Sequence, residues 1–243
     1  MPRCLELFAG TGSIGRAFRD RGWEVVSLDI NPKSNPTIVA DILKWDYAVE
    51  FPKHHFHCVW ASPLCTFYSL ARSTRRSTPE ELAYADSLVQ RTLEIVEYFA
   101  PVAWAFENPQ TGRLKTRPFM LELDLPWQDI TYCKYNGTRY RKQTRIWTNL
   151  GDHWQPEPIC CKSSRCEHFA NGVHPATAQR GPCRNSKTKR IGDGFTQNQL
   201  YHIPAALCDE LARAAESALR ENAAVHQAGP SLEREEAEDL RRN

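Results

Sequence analysis

Five short apolar runs, CLELFAG (4–10), EVVSLDI (24–30), TIVADI (37–42), FHCVWAS (56–62) and VAWAFENP (102–109), carry a small or acidic residue at or near their ends, with helical stretches between several of them. This alternation leaves few ways to bury every run: the strands must lie side by side and mostly parallel, with helices covering both faces. The expected class is therefore α/β, a doubly wound, mostly parallel sheet. At 243 residues the chain can hold one such domain and a small accessory module.

Helical signals support the reading. Ile14, Ala17 and Phe18 recur at helical spacing after the first run. Between the fourth and fifth runs, Thr78 is a good N-cap, Pro79 suits the first helical position, and Glu81 completes a capping box. Leu82, Ala85, Val89, Val96 and Phe99 then form an apolar stripe that Pro101 ends. Beyond ITYCKY, the stretch GTRYRKQTRIWTNL reads as a hairpin or strand pair. Residues 151–190 lack apolar periodicity, and IPAALCDELARAAESAL is a second strong helix. From about Asn222 the chain is expected to be frayed or disordered. The boundaries are thus 1–150 for a catalytic domain, 151–191 for a Cys/His-rich module, 192–222 for a returning segment and helix, and 223–243 for a disordered tail.

No stretch is long and apolar enough to span a bilayer, and MPRCLELFAG lacks the pattern of a signal peptide. An intracellular protein without a membrane partner is expected, in cytoplasm or nucleus. Nine cysteines, an odd number, suggest reduced thiols and a metal rather than disulfides. The net charge of +2 is uninformative, but Lys134–Arg145 holds five basic residues and no acidic one, and Cys160–Arg190 holds seven against Glu167. Such clusters suit a polyanion. Arg72, Arg75 and Arg76 fit either phosphate contacts or a solvated loop.

The chemistry gathers at the strand ends. Gly10, Gly12 and Gly15 between the first strand and its helix allow a sharp turn and close approach of a ligand to unpaired backbone N–H groups. The next two strands end near Asp29 and Asp41, acidic positions suited to the hydroxyls of a nucleoside-type cofactor. The fourth is followed by Ser62-Pro63-Leu64-Cys65 and the fifth ends in Glu107-Asn108-Pro109. A thiolate is the strongest side-chain nucleophile at neutral pH, and a facing carboxylic acid could protonate its substrate.

LELFAGTGSIGRAF, LDINP, ADILKWD, SPLCTFYS, FENPQTG and KQTRIW follow the order and rough spacing of the motifs of the DNA (cytosine-5)-methyltransferases, which the chain resembles over about residues 4–149, with an echo at YHIPAALCDEL. The resemblance implies a Rossmann-like methyltransferase fold binding S-adenosylmethionine. It implies that Phe8, Gly10 and Gly12 lie along that cofactor, with Ala9, Thr11, Ile30, Ser62 and Pro63 beside it. Asp29 would bind its ribose, and Asp41 and Ile42 would border its adenine. It further implies that Cys65 adds to carbon 6 of a cytosine flipped out of DNA, that Glu107 protonates ring nitrogen 3, and that Arg145 contacts the base or a phosphate. A monomeric enzyme is expected. The sequence departs from the pattern at Leu64, at Pro109 and at Trp147, which stands in place of a second arginine. Residues 151–191 occupy the place of a large target-recognition region.

That segment contains Cys160, Cys161, Cys166, His168, His174 and Cys183 and no core of its own. A structural zinc would supply the missing folding energy, with Cys161, Cys166, His174 and Cys183 as the preferred ligands and Cys160 or His168 as substitutes. Two rival functions stay open: the same chemistry on an RNA cytosine or a free cytidine nucleotide, and a catalytically inactive, zinc-containing nucleic-acid-binding module.

Overall fold

Strands buried on both faces need helices above and below, and the computed structural model of the chain has that architecture. It describes residues 1–70, 76–135, 140–160, 166, 174, 176–177, 181–182 and 197–228. The apolar runs form β1 (Arg3–Leu7), β2 (Glu24–Asp29), β3 (Ile38–Val39), β4 (Cys58–Ala61) and β5 (Ala103–Pro109), all parallel, in the order β3-β2-β1-β4-β5. The basic stretch after them supplies β6 (Trp127–Thr131), β7 (Tyr140–Arg141) and β8 (Gln143–Thr148). β8 runs antiparallel to β5 and β6 antiparallel to β8, which completes a seven-stranded, mostly parallel sheet. The expected strand pair is therefore split: β8 enters the main sheet, while β7 joins β9 (Ala176–Thr177) and β10 (Gly181–Pro182) in a small sheet.

The strand order reverses between β1 and β4, and in such sheets the crevice beyond the carboxyl ends at that switch is where ligands bind. Side-chain alternation along the strands feeds two cores. On one face α1 (Ser13–Asp20) and α6 (Ala205–Ala228) pack Ile14, Phe18, Leu207 and Leu211 against Cys4, Cys58 and Trp60. On the other, α3 (Pro79–Phe99) packs Leu88, Val89, Ile95 and Phe99 against Leu5, Leu7, Val59 and Ala61. Short helices α2 (Tyr47–Glu50), α4 (Pro118–Leu123) and α5 (Gln197–Tyr201) complete the described elements.

α3 starts where its sequence predicts. The Thr78 hydroxyl accepts from the Glu81 amide at 3.3 Å and the Glu81 carboxylate from the Thr78 amide at 3.0 Å. The stripe shifts in places: Leu88 and Ile95 are buried while Leu82 and Val96 are only partly so, because a 3.6-residue period places Ile95 in line with Leu88 and Thr92. At the far end α6 continues to Ala228, past the predicted boundary at 222, with residues 221–226 helical and exposed. Its docking is polar as well as apolar. The Arg21 guanidinium donates to Glu216 at 2.9 and 2.6 Å and to Asp209 at 3.0 Å, and the Trp154 indole donates to Glu210 at 2.6 Å. No described helix is long and apolar enough to cross a membrane. The predicted tail beyond residue 228 lies outside the described residues.

Candidate active site

A cavity of about 900 Å³, within the range of small-molecule and cofactor sites, opens beyond the carboxyl ends of β1, β2, β4 and β5. Its first wall is the loop after β1. Phe8 has φ 57° and Gly10 φ 49°; the former is a left-handed conformation that a non-glycine residue holds only under constraint from its surroundings. That constraint is visible. The Ala9 amide donates to the Leu28 carbonyl at 3.0 Å, and the Gly10 amide to one carboxylate oxygen of Asp29 at 2.8 Å. The other oxygen of Asp29 accepts from the Asn31 amide at 2.8 Å. Asp29 therefore clamps the loop to the end of β2 and keeps a second lone pair on each oxygen for a ligand. Gly15 plays a different part from the other two. It lies in α1 beside the buried Glu6 carboxylate, and a methyl group there would collide with it, so the need is for close packing and not for a turn.

Phe8, Ala9, Gly10, Thr11, Asp29, Ile30, Asp41, Ile42, Ser62 and Pro63 all line the cavity, whereas Gly12 stands behind it as the N-cap of α1. Tyr84 and Leu88 of α3 also contribute, as do Tyr201, His202 and Ile203 from the returning segment. His202 reaches Ser13 at 2.9 Å, and Ser13 reaches Thr11 at 2.8 Å. Tyr201 and His202 belong to the YHIPAALCDEL echo, while Glu6 and Ser13 sit inside a quoted motif with no role foreseen for them.

The other end of the same cavity holds Cys65, Glu107 and Lys142. Cys65 opens a tight turn, its carbonyl accepting from the Tyr68 amide at 3.1 Å. Asn108, fully buried, donates its side-chain amide to the Pro63 carbonyl at 3.1 Å, and the Arg113 amide donates to the Tyr68 carbonyl at 2.9 Å. The strand carrying the acid and the loop that follows it thus hold the two ends of the turn carrying the thiol. The Tyr68 hydroxyl continues the anchoring by donating to Asp86 of α3 at 2.8 Å, which also receives Arg117 at 3.0 Å.

One carboxylate oxygen of Glu107 lies 3.8 Å from the Lys142 ammonium, and both side chains are about nine-tenths buried. The other, Oε2, is buried without a hydrogen-bond partner among the described residues. A buried carboxylate oxygen left unpaired is costly unless a ligand takes it up. Burial pushes the Cys65 thiol above its ordinary pKa, the negative charge of Glu107 pushes it further, and Lys142 and the backbone oppose them.

Arg145 is not brought to this cavity. Its register on β8 places it across from Asp129 of β6, whose carboxylate it grips at 2.7 and 2.9 Å, and its guanidinium stacks 3.5 Å from the centre of the Trp127 ring. Lys142, three residues earlier, is the cation at the thiol end. Trp147 is core: it stacks on Phe106, its partner across β5 and β8, at 5.0 Å. Arg72 and Arg75 lie outside the described residues, and Arg76 is exposed.

The cysteine and histidine residues also sort themselves differently from the prediction. Cys166 and His174 come together with Cys160 and with Cys133, two residues beyond the end of β6 and outside the expected ligand set. Cys161, Cys183 and His168 lie outside the described residues.

A frog virus 3 (isolate Goorha) protein named "Probable DNA (cytosine-5)-methyltransferase" is 31% identical over 220 residues, spanning 86% of this chain and 98% of its own length. The chain belongs to the DNA (cytosine-5)-methyltransferase family. No protein-family profile matches it. Among solved structures, that of an E. coli prophage-encoded protein titled as a DNA modification methyltransferase is similar at a TM-score of 0.48 and 12% identity, over 66% of this chain and 52% of that one. The glycine loop and Asp29 at one group of strand ends and the thiol and acid at another line a single space.

Proposed function

We propose that this chain transfers a methyl group from S-adenosylmethionine to carbon 5 of cytosine in DNA, acting as a monomer on a base flipped from the stack, through a covalent bond to Cys65. The observation that carries the reading is the shared cavity: Cys65 and the unpartnered oxygen of Glu107 at one end, the Asp29-clamped glycine loop at the other. The residues present fit the cofactor. The Gly10 backbone approaches closely, Asp29 has acceptor capacity to spare for ribose hydroxyls, and the buried Ile42 with Asp41 offers an apolar and polar edge to a purine. When bound there it supplies an electrophilic methyl group.

The chain's own residues do the rest. The Cys65 thiol gives up its proton to the Glu107 carboxylate and its sulfur bonds to carbon 6, while the electrons of the carbon 5–carbon 6 double bond shift toward ring nitrogen 3, which takes that proton from Glu107, so that negative charge does not accumulate on the base. Carbon 5 then takes the methyl group. Loss of its proton to water restores the double bond and expels the Cys65 thiolate, and the proton on ring nitrogen 3 returns through Glu107 to the sulfur. Lys142 favours this thiolate and takes, at the substrate end, the part that the resemblance assigns to Arg145. Asn108 keeps Cys65 and Glu107 in register through Pro63. A structural zinc in the Cys/His segment belongs to the same reading.

The test is incubation with DNA containing 5-fluorocytosine and S-adenosylmethionine, since fluorine at carbon 5 cannot leave as a proton does. The expected result is a covalent protein–DNA species that Cys65→Ser abolishes. No adduct with DNA, combined with labelled-methyl transfer to RNA or dCMP, would replace DNA as the substrate; no transfer to any of the three would leave a binding module.

A further inference from the structure

Three thiol sulfurs and an imidazole nitrogen meet in the interior, none of them the thiol the proposed chemistry uses. The ligand atoms of Cys133, Cys160, Cys166 and His174 all lie within 4.8 Å of one another, and all four residues are buried. The His174 Nε2 is 3.3 Å from the Cys160 sulfur and 3.3 Å from that of Cys166. In a tetrahedral zinc site, metal–sulfur bonds of about 2.3 Å and metal–nitrogen bonds of about 2.0–2.1 Å set ligand atoms roughly 3.5–3.8 Å apart. The group therefore needs adjustments of only about 1 Å to close on an ion. Four donors this close leave room for one ion and not for a cluster of several.

We propose that Cys133, Cys160, Cys166 and His174 bind one structural zinc ion, in place of the set Cys161, Cys166, His174 and Cys183 preferred from the sequence. The decisive member is Cys133. It is 27 residues before Cys160 in sequence and belongs to the sheet domain, two residues beyond the end of β6. The site is already half built on that strand, because the Cys160 amide donates to the Thr131 hydroxyl at 3.2 Å. The three thiol sulfurs otherwise form a buried cluster of their own, apart from the two cores of the sheet. Four soft and borderline donors, closed and without an open position, match a structural zinc and not a catalytic one. The ion joins the module to the domain instead of organising the module alone. Tyr132, the neighbour of Cys133, connects this site to the active-site cavity: its amide donates to the Lys142 carbonyl at 3.0 Å, and the Lys142 ammonium lies 4.8 Å over its ring.

The inference deepens the zinc reading of this segment and stands whether or not the chain methylates cytosine, because its test measures metal. The full chain, purified without added metal, is analysed for metal content and by zinc-edge X-ray absorption. One zinc per chain with three sulfurs and one nitrogen at bonding distance is expected. Cys133→Ser is expected to reduce retained zinc at least tenfold, while Cys161→Ser and Cys183→Ser keep it. Should Cys133→Ser fail to fold, His174→Cys decides, since it is expected to retain the ion with four sulfurs. Absence of stoichiometric zinc, iron with sulfide in its place, an unchanged shell in His174→Cys, or loss of zinc in Cys161→Ser or Cys183→Ser would overturn the assignment. A zinc-loaded chain that transfers no methyl group would overturn only the enzymatic reading.

Discussion

Glu107→Gln is expected to separate two properties that usually fall together, making Cys65 more reactive while abolishing methyl transfer. The reasoning begins from the causes acting on the thiol: burial raises its pKa most, the Glu107 carboxylate adds to that, and Lys142 opposes it. Replacing the carboxylate with a neutral amide of the same shape removes a like charge and leaves the Lys142 ammonium uncompensated, turning a balanced pair at 3.8 Å into a net positive charge. The like charge removed and the cation left uncompensated both favour the thiolate, so its fraction at neutral pH rises. Intrinsic nucleophilicity falls with basicity with a Brønsted coefficient of only about 0.4–0.5, so the gain in thiolate outweighs that loss and alkylation is faster. Methyl transfer should drop by at least about 100-fold, the usual worth of a positioned acid. The assay is pseudo-first-order alkylation with iodoacetamide at pH 7.5, followed by peptide mapping at Cys65, in parallel with labelled-methyl transfer. Cys4, Cys58, Cys133 and Cys208 are buried and serve as internal references. Lys142→Met should move the alkylation rate the opposite way. Slower or unchanged alkylation of Glu107→Gln, in a protein with the wild-type circular dichroism spectrum, would refute the electrostatic account of the site.

Burial raises the Glu6 carboxyl from 4.5 to about 6 in the fold, with the Gly15 amide and Arg19 only partly offsetting it. The folded state then binds the proton more tightly, so this contribution is full below pH 4.5 and is lost as pH rises through 6, about 2 kcal/mol in all. Urea melts of wild type and Glu6→Gln across pH 4.5–7 should differ by that slope, and parallel curves would count against it. Asp86→Ala removes the acceptor of both Tyr68 and Arg117 and should cost about 3 kcal/mol, against about 1 kcal/mol for Tyr68→Phe, both read from chemical denaturation. Gly10→Ala places a side chain at φ 49° and should weaken S-adenosylmethionine binding measured calorimetrically, at a cost of about 1–2 kcal/mol in stability.

What could be read from the chain ahead of its structure were features local in sequence: strand ends, the glycine loop, and the capping box and proline stop of α3. A strand's carboxyl end is marked by its own residues, and so Asp29, Cys65 and Glu107 were legible. The misreadings share a cause, which is that they depend on which distant residue lies opposite. Arg145 is taken out of the cavity by Asp129, sixteen residues away across the β6–β8 ladder. Lys142 sits in the same basic run and differs only in where the strand begins. Cys133 lies in the turn that follows β6, 27 residues before Cys160, and only tertiary packing brings Cys160 and Cys166 to it. Likewise no local signal joins His202 to Ser13, 189 residues apart.

The paired anchoring of the Cys65 turn, Asn108 to the Pro63 carbonyl and Arg113 to the Tyr68 carbonyl, mounts the proposed nucleophile and acid on a common chassis. Their separation is preserved whenever β4 and β5 shift together, while the gap to the methyl donor is set by the β1–β4 ladder, from Cys4↔Cys58 to Leu7↔Ala61. Substitutions along that ladder should therefore lengthen or shorten the methyl's journey without disturbing attack on the ring, letting adduct formation proceed at its normal pace while the transfer that follows becomes the slow step.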